Sequence, residues 1–256
     1  MRLKDKVAVV TGAGSGFGAG IAARFAAEGA RVVLADLDDN AGHGVTEMIK
    51  AEGGEAVYVH ADVTKAADAK GMIDAALEHF GRLDILVNNA GYSHRNQPLI
   101  EVSEEDFDRT FAVNVKAIYL ATREAVPVFR RQGHVGGGGC ILNTSSTAAI
   151  RPRPGLVWYN GSKGAANVIT KAMAAELAPD KIRVNALCPV IGETGMLERF
   201  MGVPDTPENR EKFVATIPMG RMSKPADIAN AALYLACDEA AFITGVTLEV
   251  DGGRCI

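Results

Sequence analysis

Thr11-Gly12-Ala13-Gly14-Ser15-Gly16-Phe17-Gly18 is the stretch on which the reading of this chain turns. An apolar, β-branched run, Lys6 to Val10, precedes it. A segment of helical period, Gly18 to Glu28, follows, with Ile21, Ala22, Phe25 and Ala26 on one face. Glycines between a strand and a helix permit a sharp turn and a close approach of backbone to a ligand. The helix start offers free N–H groups and the positive end of its dipole to an anion such as a pyrophosphate. Taken alone, such a stretch is a weak signal and can be a tight turn only. Its place between a first strand and a first helix is what phosphate binding requires.

The same alternation extends outward from this turn. Arg31–Ala35, Ala56–His60, Leu83–Val87, Cys140–Thr144, Ile182–Leu187 and Thr247–Val250 read as further strands, making seven. Helical stretches lie between them at Ala41–Glu52, Ala66–Phe80, Phe107–Arg131, Tyr159–Leu177 and Asp227–Leu235, with Pro127 expected to break or bend the third. Strands separated by helices predict an α/β fold: a mostly parallel, seven-stranded, doubly wound sheet of Rossmann type with helices on both faces. One domain spans residues 1–256, with no linker or internal repeat. His134 to Gly139 reads as a short glycine-rich loop. Pro189 to Pro225 is the most irregular long segment, and a substrate lid is expected within 190–225.

Composition excludes several classes. The net charge of -4 provides no global basic field for nucleic acid or an anionic membrane. The cysteines, Cys140, Cys188, Cys237 and Cys255, form no C-x-x-C pair and no zinc-ligand spacing, so no metal is expected. Cys140 and Cys188 flank strand-like runs and read as buried thiols. No apolar run reaches membrane-spanning length, and the first residues lack the core of a signal peptide, which together predict a cytoplasmic setting.

Asp36 closes the second strand. A carboxylate there can accept hydrogen bonds from adenosine ribose hydroxyls and would repel a 2′-phosphate. Neither Ser15 nor Leu37 offers a cation to such a phosphate, so NAD is expected rather than NADP. The alternative is that Asp36 caps the helix beginning near Asp39. Farther on, Tyr159-Asn160-Gly161-Ser162-Lys163 puts a phenol and an ammonium four residues apart, on one helical face. A nearby ammonium favours the phenolate, which makes tyrosine usable as an acid or base toward an alcohol. Ser146 stands at the carboxyl end of the fifth strand and Asn88 at that of the fourth, the edge where ligands bind in such sheets. Asn114 is an awkward residue inside a helical stretch. Singly, these could be turn caps or a bend; jointly they read as a site.

These motifs resemble the short-chain dehydrogenase/reductase family over essentially the whole chain. The matches are T-G-x-x-x-G-x-G at Thr11–Gly18, N-N-A-G at Asn88–Gly91 and Y-x-x-x-K at Tyr159–Lys163. The resemblance implies Tyr159 as general acid/base. It implies that Lys163 lowers the Tyr159 pKa and binds the nicotinamide ribose, that Ser146 orients the substrate oxygen, and that Asn114 holds a relay water. For the cofactor it implies Gly12, Ser15, Gly16, Phe17 and Gly18 at the phosphates, Asp36 and Leu37 at the ribose, and Asp62 and Val63 at the adenine. Asn88, Ala90 and Gly91 would line its path, with Pro189, Gly192 and Thr194 at the nicotinamide. A homotetramer paired through the helices bearing Asn114 and Tyr159 is also implied. One departure stands out. The family has Pro-Gly, an aliphatic residue two positions on, then Thr; here Pro189-Val190-Ile191-Gly192-Glu193-Thr194 puts glycine in the aliphatic place.

Three functions follow as expectations. The first is NAD-dependent hydride transfer on a small-molecule secondary alcohol or ketone. The second is an NADPH-dependent 3-oxoacyl-carrier-protein reductase, and the third a non-catalytic NAD-binding regulator. Pocket residues are expected from Tyr92–Asn96, Thr147–Trp158 and Gly192–Thr216. Among them His94, Arg95, Arg151 and Arg153 read as solvated loop charges or as contacts for a polar or anionic substrate.

Overall fold

Successive side chains of a strand point to opposite faces of its sheet, and in this protein both faces are buried. Along β1 (Val7–Thr11), Ala8 and Val10 join one apolar cluster while Val7 and Val9 join another. Along β2 (Arg31–Asp36), Val32 and Leu34 go with the first cluster, Val33 and Ala35 with the second. A sheet buried on both sides needs helices on both sides, and that is the architecture of the computed structural model, which describes residues 1–132 and 138–256.

The remaining strands are β3 (Glu55–His60), β4 (Ile85–Asn88), β5 (Gly139–Thr144), β6 (Ile182–Pro189) and β7 (Thr247–Val250). Every pairing is parallel, and the order is β3-β2-β1-β4-β5-β6-β7. The helices α1 (Gly16–Ala27), α2 (Asp39–Ala51) and α3 (Ala66–Phe80) follow the first three strands. After β4 come α4 (Glu104–Phe111) and α5 (Ala117–Gln132); α6 (Val157–Leu177) follows β5. Two short helices, α7 (Leu197–Met201) and α8 (Pro207–Val214), lie within the long irregular segment, and α9 (Pro225–Ala236) precedes β7. Ile21 and Phe25 of α1 and Ile228 and Leu233 of α9 cover one face; Met72 of α3, Phe129 of α5 and Leu177 of α6 cover the other.

The helix read between Phe107 and Arg131 behaves differently from expectation. Pro127 lies inside α5 without interrupting it. The irregularity falls earlier, where Ala112–Lys116 form a π-helical turn around Asn114. Such single widened turns inside helices are frequent at functional sites, and the Asn114 side chain is held by Tyr92 and Ser162. Of the loop read at His134 to Gly139, residues 134–137 lie outside the described residues, and Gly139 already opens β5.

The strand order reverses between β1 and β4. In open parallel sheets that reversal leaves a crevice at the carboxyl ends of the strands, where ligands bind.

Candidate active site

The glycine turn is fastened to the other side of this crevice. The Thr11 hydroxyl accepts hydrogen bonds from the backbone N–H groups of Asn89 and Ala90, at 3.0 Å each. The Asn89 amide donates back to the Thr11 and Gly12 carbonyls at 2.9 and 3.2 Å. Gly12 has φ +63°, and a Cβ there would come within 2.9 Å of the Ala90 Cα. On the β2 side, the Asp36 carboxylate accepts from Gly14 N at 2.7 Å and from Asp38 N at 3.0 Å. Asp36 does not cap α2. That duty falls to Asp38, whose side chain accepts from Ala41 N.

One cavity of about 1350 Å³ runs along the edge. Of the residues read from the sequence, Gly12, Ser15, Gly16, Phe17, Asp36, Leu37, Asp62, Val63, Ala90, Gly91, Ser146, Tyr159, Lys163, Pro189, Gly192 and Thr194 line it. Gly18, Asn88 and Asn114 do not. Gly18 is a packing residue: a Cβ there would run into the Gly12 carbonyl oxygen. Asn88 braces the sheet, donating to Asn143 Oδ1 at 2.9 Å, while Asn143 donates to Thr170 of α6 at 2.9 Å. Its neighbour Asn89 lines the cavity instead.

Tyr159 and Lys163 stand in the first two turns of α6 and are 6% and 4% exposed. A ladder of polar contacts holds these turns against β5. Lys163 Nζ donates to the Thr144 carbonyl at 2.7 Å, and the Ser145 hydroxyl donates to the Lys163 carbonyl at 3.0 Å. Asn114 Nδ2 donates to Ser162 Oγ at 2.9 Å and to the Tyr92 carbonyl at 2.8 Å, while its Oδ1 accepts from Tyr92 N at 2.9 Å. Asn88, Asn114, Thr144 and Lys163 enclose a void of about 10 Å³, close to the size that admits one water molecule.

Burial pushes the Tyr159 phenol up to about 12, with the Ser146 hydroxyl and the Arg153 charge pulling the other way. Burial brings Lys163 down to about 8. The Arg153 charge favours the phenolate here, and Lys163 Nζ lies 5.9 Å from the Tyr159 ring centre.

The segment after β6 covers this end. Phe200 of α7 meets the Tyr159 ring edge-on at 5.0 Å. Arg153 donates to the Phe200 carbonyl at 2.9 Å and lies over the Phe213 ring of α8 at 5.0 Å. In the flanking loop one residue departs from expectation. His94 is fully buried rather than solvated, its Nδ1 bonded to the Arg95 carbonyl, and Arg95 donates to the Gly202 carbonyl. Arg151, Arg153 and Tyr92 line the cavity, whereas Trp158 packs edge-on against Phe107. Arg254, which no motif singled out, also lines it.

A family model described as enoyl-(acyl carrier protein) reductase matches residues 12–254. A 4-formylbenzenesulfonate dehydrogenase of Comamonas testosteroni is 48% identical over 256 residues, covering 100% of both chains. The chain belongs to the short-chain dehydrogenase/reductase family. Its members include the solved 3-ketoacyl-(acyl-carrier-protein) reductase from Brucella melitensis complexed with NADH. That structure matches with a TM-score of 0.93 at 50% identity, covering 99% of this chain and 100% of that one. A structure of NAD+-bound xylitol dehydrogenase matches at 0.92 with 30% identity and the same coverage. As a short-chain dehydrogenase/reductase, the protein is an oxidoreductase acting on CH–OH groups.

The departure at Gly192 has a physical reason within this dehydrogenase/reductase. A Cβ at Gly192 would lie 2.5 Å from Phe17 Cζ and 2.7 Å from Ser223 Oγ. The Phe17 ring occupies the space an aliphatic side chain would need. Gly192 pairs with Ser223 as an isolated parallel bridge, Ser223 N donating to the Ile191 carbonyl and Glu193 N to the Ser223 carbonyl. The loop is thus pinned despite its unusual sequence.

The packing around Gly192 and the burial of Lys163 each have a measurable consequence. Gly192→Val is expected to lower the unfolding free energy by about 1–3 kcal/mol, the usual cost of overpacking. Adding Phe17→Ala should return more than half of that loss; strictly additive losses in a urea-denaturation cycle would refute the pairing. The second concerns pH. Between about 8 and its ordinary value of 10.5, Lys163 is deprotonated in the folded protein and protonated in the unfolded chain. The unfolded state then binds more protons, so Lys163 makes stability rise with pH across that window. In Lys163→Met the rise should be smaller, as read by denaturant titrations at a series of pH values.

Proposed function

We propose that the protein is an NAD-dependent dehydrogenase of secondary alcohols and ketones, with Tyr159 as its general acid/base. The observation that carries this reading is a single cavity lined by Tyr159, Lys163 and Ser146 at one end and by the glycine turn and Asp36 at the other. The residues suit NAD. The Gly12 turn has no room for a side chain, and Asp36 presents a carboxylate with Leu37 beside it, a poor setting for a 2′-phosphate. Solved relatives that carry NADH and NAD+ support the same choice. Gly12, Ser15, Gly16, Phe17 and Asp36 would hold the adenosine and phosphates, and Asp62 and Val63 the adenine. Ala90, Gly91, Lys163, Pro189, Gly192 and Thr194 would hold the nicotinamide end, with Gly18 and Asn88 supporting from behind.

NAD, when bound, supplies the acceptor or donor of a hydride. The chain's own residues manage the proton. In oxidation the Tyr159 phenolate takes the hydroxyl proton of the substrate as the carbon loses hydride; in reduction the phenol returns it. Ser146 holds the reacting oxygen. Lys163, Asn114 and a water in the small void beside them would carry the proton onward. A phenol raised by burial is a poor base until positive charge approaches, so the positive nicotinamide would complete what Arg153 and Ser146 begin. The segment 190–225 would act as substrate lid. A homotetramer would bury the exposed Tyr119 of α5 and Val168 of α6.

A second reading, reduction of 3-oxoacyl groups on a carrier protein, is favoured by the Brucella melitensis relative. That relative carries NADH, so Asp36 weighs less against this reading than the sequence suggested.

The test is NADH production from NAD with a panel of secondary alcohols, polyols and hydroxylated rings, alongside 3-oxoacyl thioesters with NADH. Tyr159→Phe should lose about 10²–10⁴-fold in turnover while still binding NADH. Undiminished turnover in that variant would refute the role of Tyr159; turnover of thioesters alone would favour the second reading.

A further inference from the structure

The cavity is electrically lopsided. Its acidic lining residues, Asp36, Asp62, Glu105 and Asp108, all come from the first half of the chain. From Thr144 onward the lining includes Arg151, Arg153, Lys163, Lys212 and Arg254 and, among the described residues, no acid. The later half of the lining, to which Tyr159 belongs, thus has only cations among its described charged groups.

Arg254 is the most telling of them. It sits in a turn directly after β7, where Gly252 and Gly253 adopt φ of +62° and +86°. The Asp251 carboxylate accepts from Gly253 N at 2.9 Å and from Cys255 N at 2.8 Å, and Arg151 Nη1 donates to the Arg254 carbonyl at 2.7 Å. The turn is thus fastened on both sides and presents the Arg254 side chain to the cavity. Its Nη1 is buried with no hydrogen-bond partner among the described residues. Buried charged donors are ordinarily satisfied, and one that is not calls for an explanation. Burial, with a smaller push from the nearby Arg254 charge, holds the Arg153 pKa below the ordinary guanidinium value. Two half-buried guanidinium groups near one another repel, and an anion between them would relieve that repulsion. Guanidinium forks match the geometry of carboxylate and sulfonate oxygens. The surroundings are apolar and aromatic: Phe200 edge-on to Tyr159, and Phe213 beneath Arg153.

We propose that the substrate of this dehydrogenase carries an oxyanion, a carboxylate or a sulfonate, on a ring-sized apolar body, and that Arg254 together with Arg153 binds that group. The inference rests on the dehydrogenase reading above, since Tyr159 faces the reacting hydroxyl while the arginines hold the other end. Arg153 has a second duty, tying α7 and α8 over the site, so Arg254 is the cleaner residue to test.

The experiment compares 4-(1-hydroxyethyl)benzenesulfonate with its sulfonamide, similar in shape and different in charge, at saturating NAD. The wild-type protein should favour the sulfonate by at least about tenfold in kcat/KM, and in Arg254→Gln this ratio should fall toward one, chiefly through KM of the sulfonate. Arg254→Lys should restore part of it. A wild-type ratio near one, or a variant that loses activity on both compounds with the ratio intact, overturns the proposal. Calorimetric titration of benzenesulfonate into the protein with NADH gives a readout independent of turnover: saturable binding that weakens in Arg254→Gln supports the anion site, and no binding to the wild-type protein overturns it. If neither these alcohols nor any member of the panel above is oxidised but benzenesulfonate binds, the dehydrogenase reading fails and the anion site stands.

Discussion

Between β1 and β4 the winding of the chain reverses, and the Thr11 hydroxyl bridges that seam by accepting the N–H groups of both Asn89 and Ala90. The rest of the site depends on this closure. It sets how near the glycine turn comes to the end of β4, and so leaves no room for a side chain at Gly12 or Gly18. It also fixes the end of β4, whose Asn88 reaches through Asn143 and Thr170 to α6. The helix bearing Tyr159 and Lys163 is thereby located relative to the turn that would hold phosphates. Hydride transfer demands fixed geometry between two bound molecules, and this seam is where the two halves of the site are brought into register.

Burial creates the chemical tension of the site. A phenol raised to about 12 and an amine lowered to about 8 are both held in their neutral forms more firmly than they would be in water. The Arg153 charge already opposes the rise at Tyr159, and the positive charge of a bound nicotinamide would shift the phenol further toward ionisation, so that proton transfer is tied to occupancy of the site. Arg153, whose charge biases Tyr159, is also one of the two arginines proposed to hold an anionic substituent, which would link substrate choice to the ionisation of the acid/base.

Much of this was legible in the sequence because it is local. The strand and helix periods of β1 to β3, the glycine turn, Asp36 at a strand end and the spacing of Tyr159 and Lys163 are each read within a few residues of one another. The remainder depends on contacts between distant segments. Arg254 meets the loop of Arg151 and Arg153 about a hundred residues away in sequence, and nothing local in its turn marks it as part of the site. Gly192 departs from the family pattern because the Phe17 ring of α1, distant in sequence, fills the space a side chain would need. Asn114 was noticed as a poor helix former, but the π-helical turn that absorbs the disturbance arises from its bonds to Tyr92 and Ser162. His94 read as a loop charge because burial is set by tertiary packing, which residue type does not reveal.

The proposed chemistry brings a CH–OH carbon to a nicotinamide in this cavity for direct hydride transfer. The most direct measurement uses a secondary alcohol that the protein oxidises, deuterated at its carbinol carbon, with NAD, and examines the reduced cofactor by mass spectrometry. Direct transfer puts one deuterium on each reduced nicotinamide formed. Reduced cofactor without the label would contradict the account.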